Sequence, residues 1–171
     1  MRALALILLA ALPATAQDVL YDDTILPACL DRVAGDVGQE RPLAPALRAC
    51  IGASSDACMN TPDGQTTAGM SACLHHEMLE WDMLMTAWYD KSLRQAREAD
   101  DQVKQLGSAA DPAAPVLERA QQAWTGFRDS ACLFQEVRWQ GGTAGGPASA
   151  ECLLQLTAEQ ALRLRDISEG W

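Results

Sequence analysis

Six cysteines constrain this chain more than any other feature: Cys29, Cys50, Cys58, Cys73, Cys132 and Cys152 all lie downstream of an N-terminal leader. The leader consists of Met1-Arg2, an apolar run from Ala3 to Leu12, and the small-residue triplet Ala14-Thr15-Ala16 that a signal peptidase reads. Cleavage is expected before Gln17, which makes residues 1–16 a signal peptide and 17–171 a single domain. An even number of cysteines delivered to an oxidising compartment argues for a full set of disulfides, and the absence of any C-x-x-C removes the usual thiol redox and zinc-knuckle motifs. The apolar run is about half of what a bilayer-spanning helix needs, and no later stretch approaches about eighteen consecutive apolar residues. The expectation is a soluble exported protein, periplasmic or secreted, with no membrane span.

Hydrophobic spacing indicates helices throughout. From Thr66 or Thr67 to Leu106 a stripe of Met70, Leu74, Met78, Trp81, Met85 and Trp88 recurs at intervals of three and four, the period of one helix face. A helix of that length would run about 60 Å. Beyond Lys91 the stripe thins to Ala96, Ala99, Val103 and Leu106 while charges multiply, so the far end should protrude. Two short helices are expected before it, from about Leu26 to Ala34 and from Pro42 to Ile51, the first with Pro27 in its opening turn and the second ended by Gly52. Residues 52–66 read as a turn-rich loop. A third helix, capped by Asp111 with Pro112 at its first position, should reach about Trp139. Gly141-Gly142-Thr143-Ala144-Gly145-Gly146-Pro147 should form a loop, and a last helix should run from about Ala148 to Ser168. No period of two appears over a useful length. The fold class is all-α: a disulfide-stapled antiparallel helical bundle with one long helix and short N-terminal helices.

In the third helix Trp124, Phe127, Ala131 and Phe134 share a face by spacing and are expected to face the core, with Gln121, Arg128 and Asp129 beside or behind it. Arg128 and Asp129 are neighbours in sequence, so separate partners are expected for them. In an antiparallel hairpin, Cys132 and Cys152 stand about 10 Å and about 6 Å from the same end, near enough to level for a bridge. Cys58 to Cys73 would staple the turn-rich loop to the base of the long helix. Cys29 and Cys50 would close a small hairpin, although Cys50 is also close enough in sequence to compete for Cys58.

The formal net charge is −10; without Arg2 the balance is 12 basic against 23 acidic side chains, or −11. Nucleic acid is a poor partner for such a surface, and basic proteins are better ones. His75 and His76 are adjacent and point about 100° apart on a helix, so no metal site is expected and no cofactor is implied. Glu77, Glu80 and Asp82 read as a solvated helix face rather than as an acid and nucleophile pair. The chain lacks G-x-S-x-G, H-E-x-x-H and a phosphate-binding glycine loop, and an enzyme is not expected. Two places can bear binding: the loop Gly141, Gly142, Thr143 and onward to Pro147, and the acidic tip at Glu98, Asp100 and Asp101.

Ala120-Gln121, Trp124, Phe127-Arg128-Asp129 and Cys132, then Gly141-Gly142-Thr143, Cys152-Leu153 and Thr157, resemble the lysozyme inhibitor LprI-like domain family. Cys73, Trp81-Asp82 and Tyr89 match the first long helix of that family, so the resemblance covers about residues 50–165. The chain departs from the family pattern at Met85-Thr86, where the family has Leu-Asn, and at Gln160, where it has Arg. The resemblance implies a non-enzymatic exported binding protein whose partner is a cationic muramidase. The alternative is a cell-envelope interaction module that contacts another exported protein and inhibits no lysozyme.

Overall fold

The long periodic stretch folds as one uninterrupted helix on which the rest of the chain is laid. The computed structural model describes residues 19–37 and 43–170, so the leader, its cleavage point and Pro42 lie outside the described residues. In chain order the elements are α1 (Ile25–Val37), α2 (Ala44–Leu47) continued by a 3-10 turn (Arg48–Cys50), α3 (Ala53–Met59), α4 (Thr67–Gln105), α5 (Ala113–Val137) and α6 (Gly145–Glu169). Among the described residues there is no strand, and no helix is long and apolar enough to cross a membrane.

Thr66 starts α4 by accepting a hydrogen bond from Gly69 N at 2.9 Å. Gly69 packs so closely on the preceding loop that a Cβ there would run into the Asp63 carbonyl oxygen. Leu74, Met78, Trp81 and Met85 are buried, with Trp81 wholly so, and Trp88 packs against them. The inward stripe continues past Lys91 through Leu93 and Ala96, which meet Ala114 of α5. From Asp101 to Pro112 every residue is exposed, the protruding tip that the thinning stripe implies.

α5 runs back antiparallel to α4, tied by Arg97 to Glu118 at 2.8 Å, and α6 returns parallel to α4. Ser92 Oγ donates to the Leu164 carbonyl at 3.3 Å and Gln95 Nε2 to the Ser168 carbonyl at 3.0 Å, which fixes that register. Ala158 and Ala161 are fully buried and let α6 approach closely, while Leu154, Leu162 and Leu164 fill the space beside Trp81. The short helices cover the N-terminal half of α4 with Leu26, Leu43 and Leu47. Disulfides join Cys29 to Cys50, Cys58 to Cys73 and Cys132 to Cys152, with Cα separations of 5.8, 5.7 and 5.3 Å. The first two pin the short helices, α1 to the 3-10 turn and α3 to α4, and the third ties the long helices α5 and α6 together.

Three expectations are corrected. Residues 52–66 are not all loop: α3 occupies Ala53–Met59, begun by Gly52 at φ 96°. Its start is capped from another helix, since Gly52 N and Ser55 N both donate at 2.7 Å to the Glu77 carboxylate of α4. Asp111 does not cap α5; Asp100 reaches across and accepts from Ala113 N at 2.6 Å and Ala114 N at 2.9 Å. Gly145, Gly146 and Pro147 are not loop either, because α6 starts at Gly145 and Pro147 falls in its first turn, where its missing N–H costs nothing.

Candidate functional site

The inward face of α5 is not the aromatic face that its spacing predicts. Leu117, Gln121, Trp124, Arg128 and Cys132 turn toward α4 and α6, whereas Phe127 and Phe134 are 59% and 61% exposed. The helix is rotated by roughly a quarter turn because its polar groups find partners inside. Gln160 Nε2 donates to Gln121 Oε1 at 2.9 Å, and Gln121 Nε2 lies 3.6 Å from Met85 Sδ. Arg128 lies 5.2 Å over the Trp124 ring, donates to Thr157 Oγ1 at 3.4 Å and faces Asp82 at 3.7 Å. It also pairs with Asp129 at 2.9 Å, against the expectation of separate partners, because its long side chain folds back over its neighbour. Both departures from the family pattern that reach this seam, Met85 and Gln160, are partners of Gln121. With so many partners Arg128 is a strut between three helices, not a free anion hook. Trp81 is fully buried, and Tyr89 packs partly buried at the junction of the two core clusters.

The carboxylates of α4 are not a solvated face. Glu77 is fully buried and, besides capping α3, accepts from Trp81 Nε1 at 3.1 Å. Glu80 is half-buried beside Tyr21; burial, then the nearby charges of Glu77, Asp23 and Asp22, push its carboxyl up to about 7 although the Tyr21 hydroxyl pulls the other way. Burial holds the Tyr21 phenol well above its ordinary range, and its ring stacks on His76 at 4.9 Å. His75 is exposed. At the tip Glu98 and Asp101 are exposed, while Asp100 is committed to the start of α5.

The α5–α6 connection, residues 138–144, lies earlier in the chain than the expected Gly141–Pro147 loop and is ordered by its own bonds. Gly142 N donates to the Trp139 carbonyl at 2.8 Å and Gly145 N to the Gly142 carbonyl at 3.0 Å. Gln140 and Gly141 take positive φ of 52° and 82°, and a Cβ on Gly142 would press on the Trp139 carbonyl. The Cys132–Cys152 bridge ties the two helices behind this turn, so Gly141, Gly142 and Thr143 are exposed on a rigid mount. Beneath them opens a cleft of roughly 540 Å³ between α3, the start of α4 and the start of α6. Trp139, 47% exposed, Met59 and Met70 give it apolar walls, and the exposed carboxylates Asp56 and Glu151 give it an acidic rim. Sequence spacing located the turn but not the cleft. Asp56 and Met59 lie on the unexpected α3, and spacing marks Trp139 only as the end of a helix. A tryptophan two residues before a glycine pair is the signal that the sequence offers.

A family model described as lysozyme inhibitor LprI matches residues 58–164, more than half of the chain. The chain belongs to the lysozyme inhibitor LprI family. The matched span of this LprI-family chain takes in α4, α5, nearly all of α6 and two of the three disulfides, and leaves α1 and α2 outside. An uncharacterised 17.7 kDa protein from the region 5′ of puhA in Rhodobacter capsulatus is 28% identical over 123 residues, 71% of this chain and 76% of that protein. An uncharacterised protein of Rhizobium meliloti (strain 1021) is 25% identical over 135 residues, 76% of this chain and 97% of its own. No solved structure matches the chain.

Proposed function

We propose that this LprI-family chain is exported, loses residues 1–16, and acts by binding rather than catalysis, with a cationic muramidase as its partner. The observation that carries this reading is the exposed turn Gly141–Thr143 with Trp139, held by the Cys132–Cys152 bridge above a cleft rimmed by Asp56 and Glu151. A rigid turn loses little conformational freedom on entering an enzyme cleft, so more of its contact energy appears as affinity. Acidic side chains around a tryptophan suit a basic surface, and the net charge of −11 left once Arg2 is removed (12 basic against 23 acidic side chains) speeds its approach. The family membership supports the target class, and the leader supports export.

The test is residual muramidase activity against increasing purified, disulfide-bonded chain at low and at physiological salt. Saturable loss of activity, weaker at the higher salt, is expected, and Trp139→Ala should weaken it at least about tenfold. Full muramidase activity across the low-salt titration removes the reading.

A further inference from the structure

We propose that this chain pairs with a second copy of itself through the outward face of α5, an antiparallel helix seam that is independent of the muramidase reading. Val116, Ala120, Ala123, Phe127, Ser130, Phe134 and Val137 follow one another at intervals of four and three, and every one of them is exposed. A surface hydrophobe here or there needs no explanation, but an uncharged stripe that keeps the 3.5-residue period over the whole helix is what a partner helix requires. Among the described residues, none of the other helices covers it.

Size complementarity selects the occupant. About a two-fold axis passing midway between Phe127 and Ser130, Phe127 lies opposite the partner's Ser130, Phe134 opposite the partner's Ala123, and Val137 opposite the partner's Ala120. Phe127, Phe134 and Val137 then each meet a small residue, in the alternation that antiparallel seams use. On the flanks, exposed Leu133 stands within about 3 Å along the axis of the partner's Gly126, and exposed Arg119 within about 3 Å of the partner's Glu136, inside the reach of its long side chain. A self-complementary patch of this kind is what a two-fold dimer needs. With rings of about 200 Å² each, the exposed part of the stripe amounts to on the order of 500 Å² per copy, near the lower limit for a specific pair. The dimer is therefore expected to be weak and reversible, with Kd in the micromolar range. Two strongly acidic copies repel, so added salt strengthens this pairing, whereas it weakens attraction to a cationic enzyme.

Sedimentation equilibrium of the purified, disulfide-bonded chain, from micromolar to about millimolar concentration, reads the association directly. A monomer–dimer equilibrium is expected, with Kd falling as salt rises. Phe134→Glu should raise Kd at least about tenfold. Ala123→Phe sets two rings against each other and Phe134→Ala sets two methyls, so each alone should raise Kd about tenfold, while both together should return it to within about threefold of the parent. These positions are exposed, and unchanged circular dichroism confirms that each variant folds. A parent chain that stays monomeric throughout, a dimer indifferent to Phe134→Glu, or a double variant no tighter than its single parents overturns the proposal. So does a chain that is monomeric alone and uses this face only on a different protein.

Discussion

α4 and α5 pack side by side, yet only α4 turns inward the apolar stripe that its spacing displays. α4 turns Leu74, Met78, Trp81 and Met85 inward, as its spacing demands. α5 turns Gln121, Arg128 and Cys132 inward and leaves Phe127 and Phe134 in solvent. The difference shows that helix phase follows the best total satisfaction of a face. A polar stripe can win that contest when each of its groups is met and a disulfide fixes the rotation. If so, the two helices should respond very differently to truncation.

Trp81→Ala is the severest test on the α4 side. It removes a wholly buried indole and the donor to Glu77, so the unfolding free energy should fall by about 3–5 kcal/mol in urea titration with the disulfides intact. A loss below about 1 kcal/mol would mean that the α4 stripe does not organise the core. Arg128→Ala makes the matching cut on α5. It strips Thr157, Asp82 and Asp129 of a partner and uncovers Trp124, with an expected loss of about 1–3 kcal/mol. An effect as small as that of an exposed arginine would leave the rotation of α5 without its explanation.

The contrast also explains what the sequence disclosed. The all-helical class, the long helix and the exposed tip follow from apolar spacing, because α4 buries what its pattern displays. α3 was hidden because its cap comes from Glu77, more than twenty residues downstream, and local cap signals cannot report a distant carboxylate. A cap that comes from 13 residues upstream hid Asp100 at the start of α5 in the same way. Of the candidate site, the glycine turn was legible through its composition. The cleft was not, since its walls come from three segments that only the bundle brings together.

Glu80 sharpens the comparison through pH. Its carboxyl titrates near 7 in the folded chain against an ordinary value of 4.5, so the folded state holds the proton more tightly than the unfolded one. The neutral form therefore favours folding below about pH 4.5, and that advantage is lost as pH rises through about 4.5 to 7. Because the group is only part-buried, solvent screening reduces the swing to about 1 kcal/mol. Comparing the stability of the parent and Glu80→Gln from pH 4 to 8 isolates it; parallel curves would show that Glu80 titrates normally.

The smallest effect is expected where unaided pattern reading would place the largest. Phe127→Ser deletes an aromatic ring from a stripe that resembles a core face, and a buried phenylalanine costs about 3–5 kcal/mol to truncate. Phe127 is 59% exposed and faces away from α4 and α6, so no cavity forms and no buried donor is stranded. At concentrations low enough to keep the chain monomeric, the change in unfolding free energy should stay within about 0.5 kcal/mol, as for other surface substitutions. At higher concentration the same substitution should weaken association, because the ring then loses its place opposite the partner's Ser130. A large loss in the dilute monomer would put Phe127 back in the core and rotate α5 to the phase that its aromatic spacing suggests, and the polar seam at Gln121 and Arg128 would then have to dissolve.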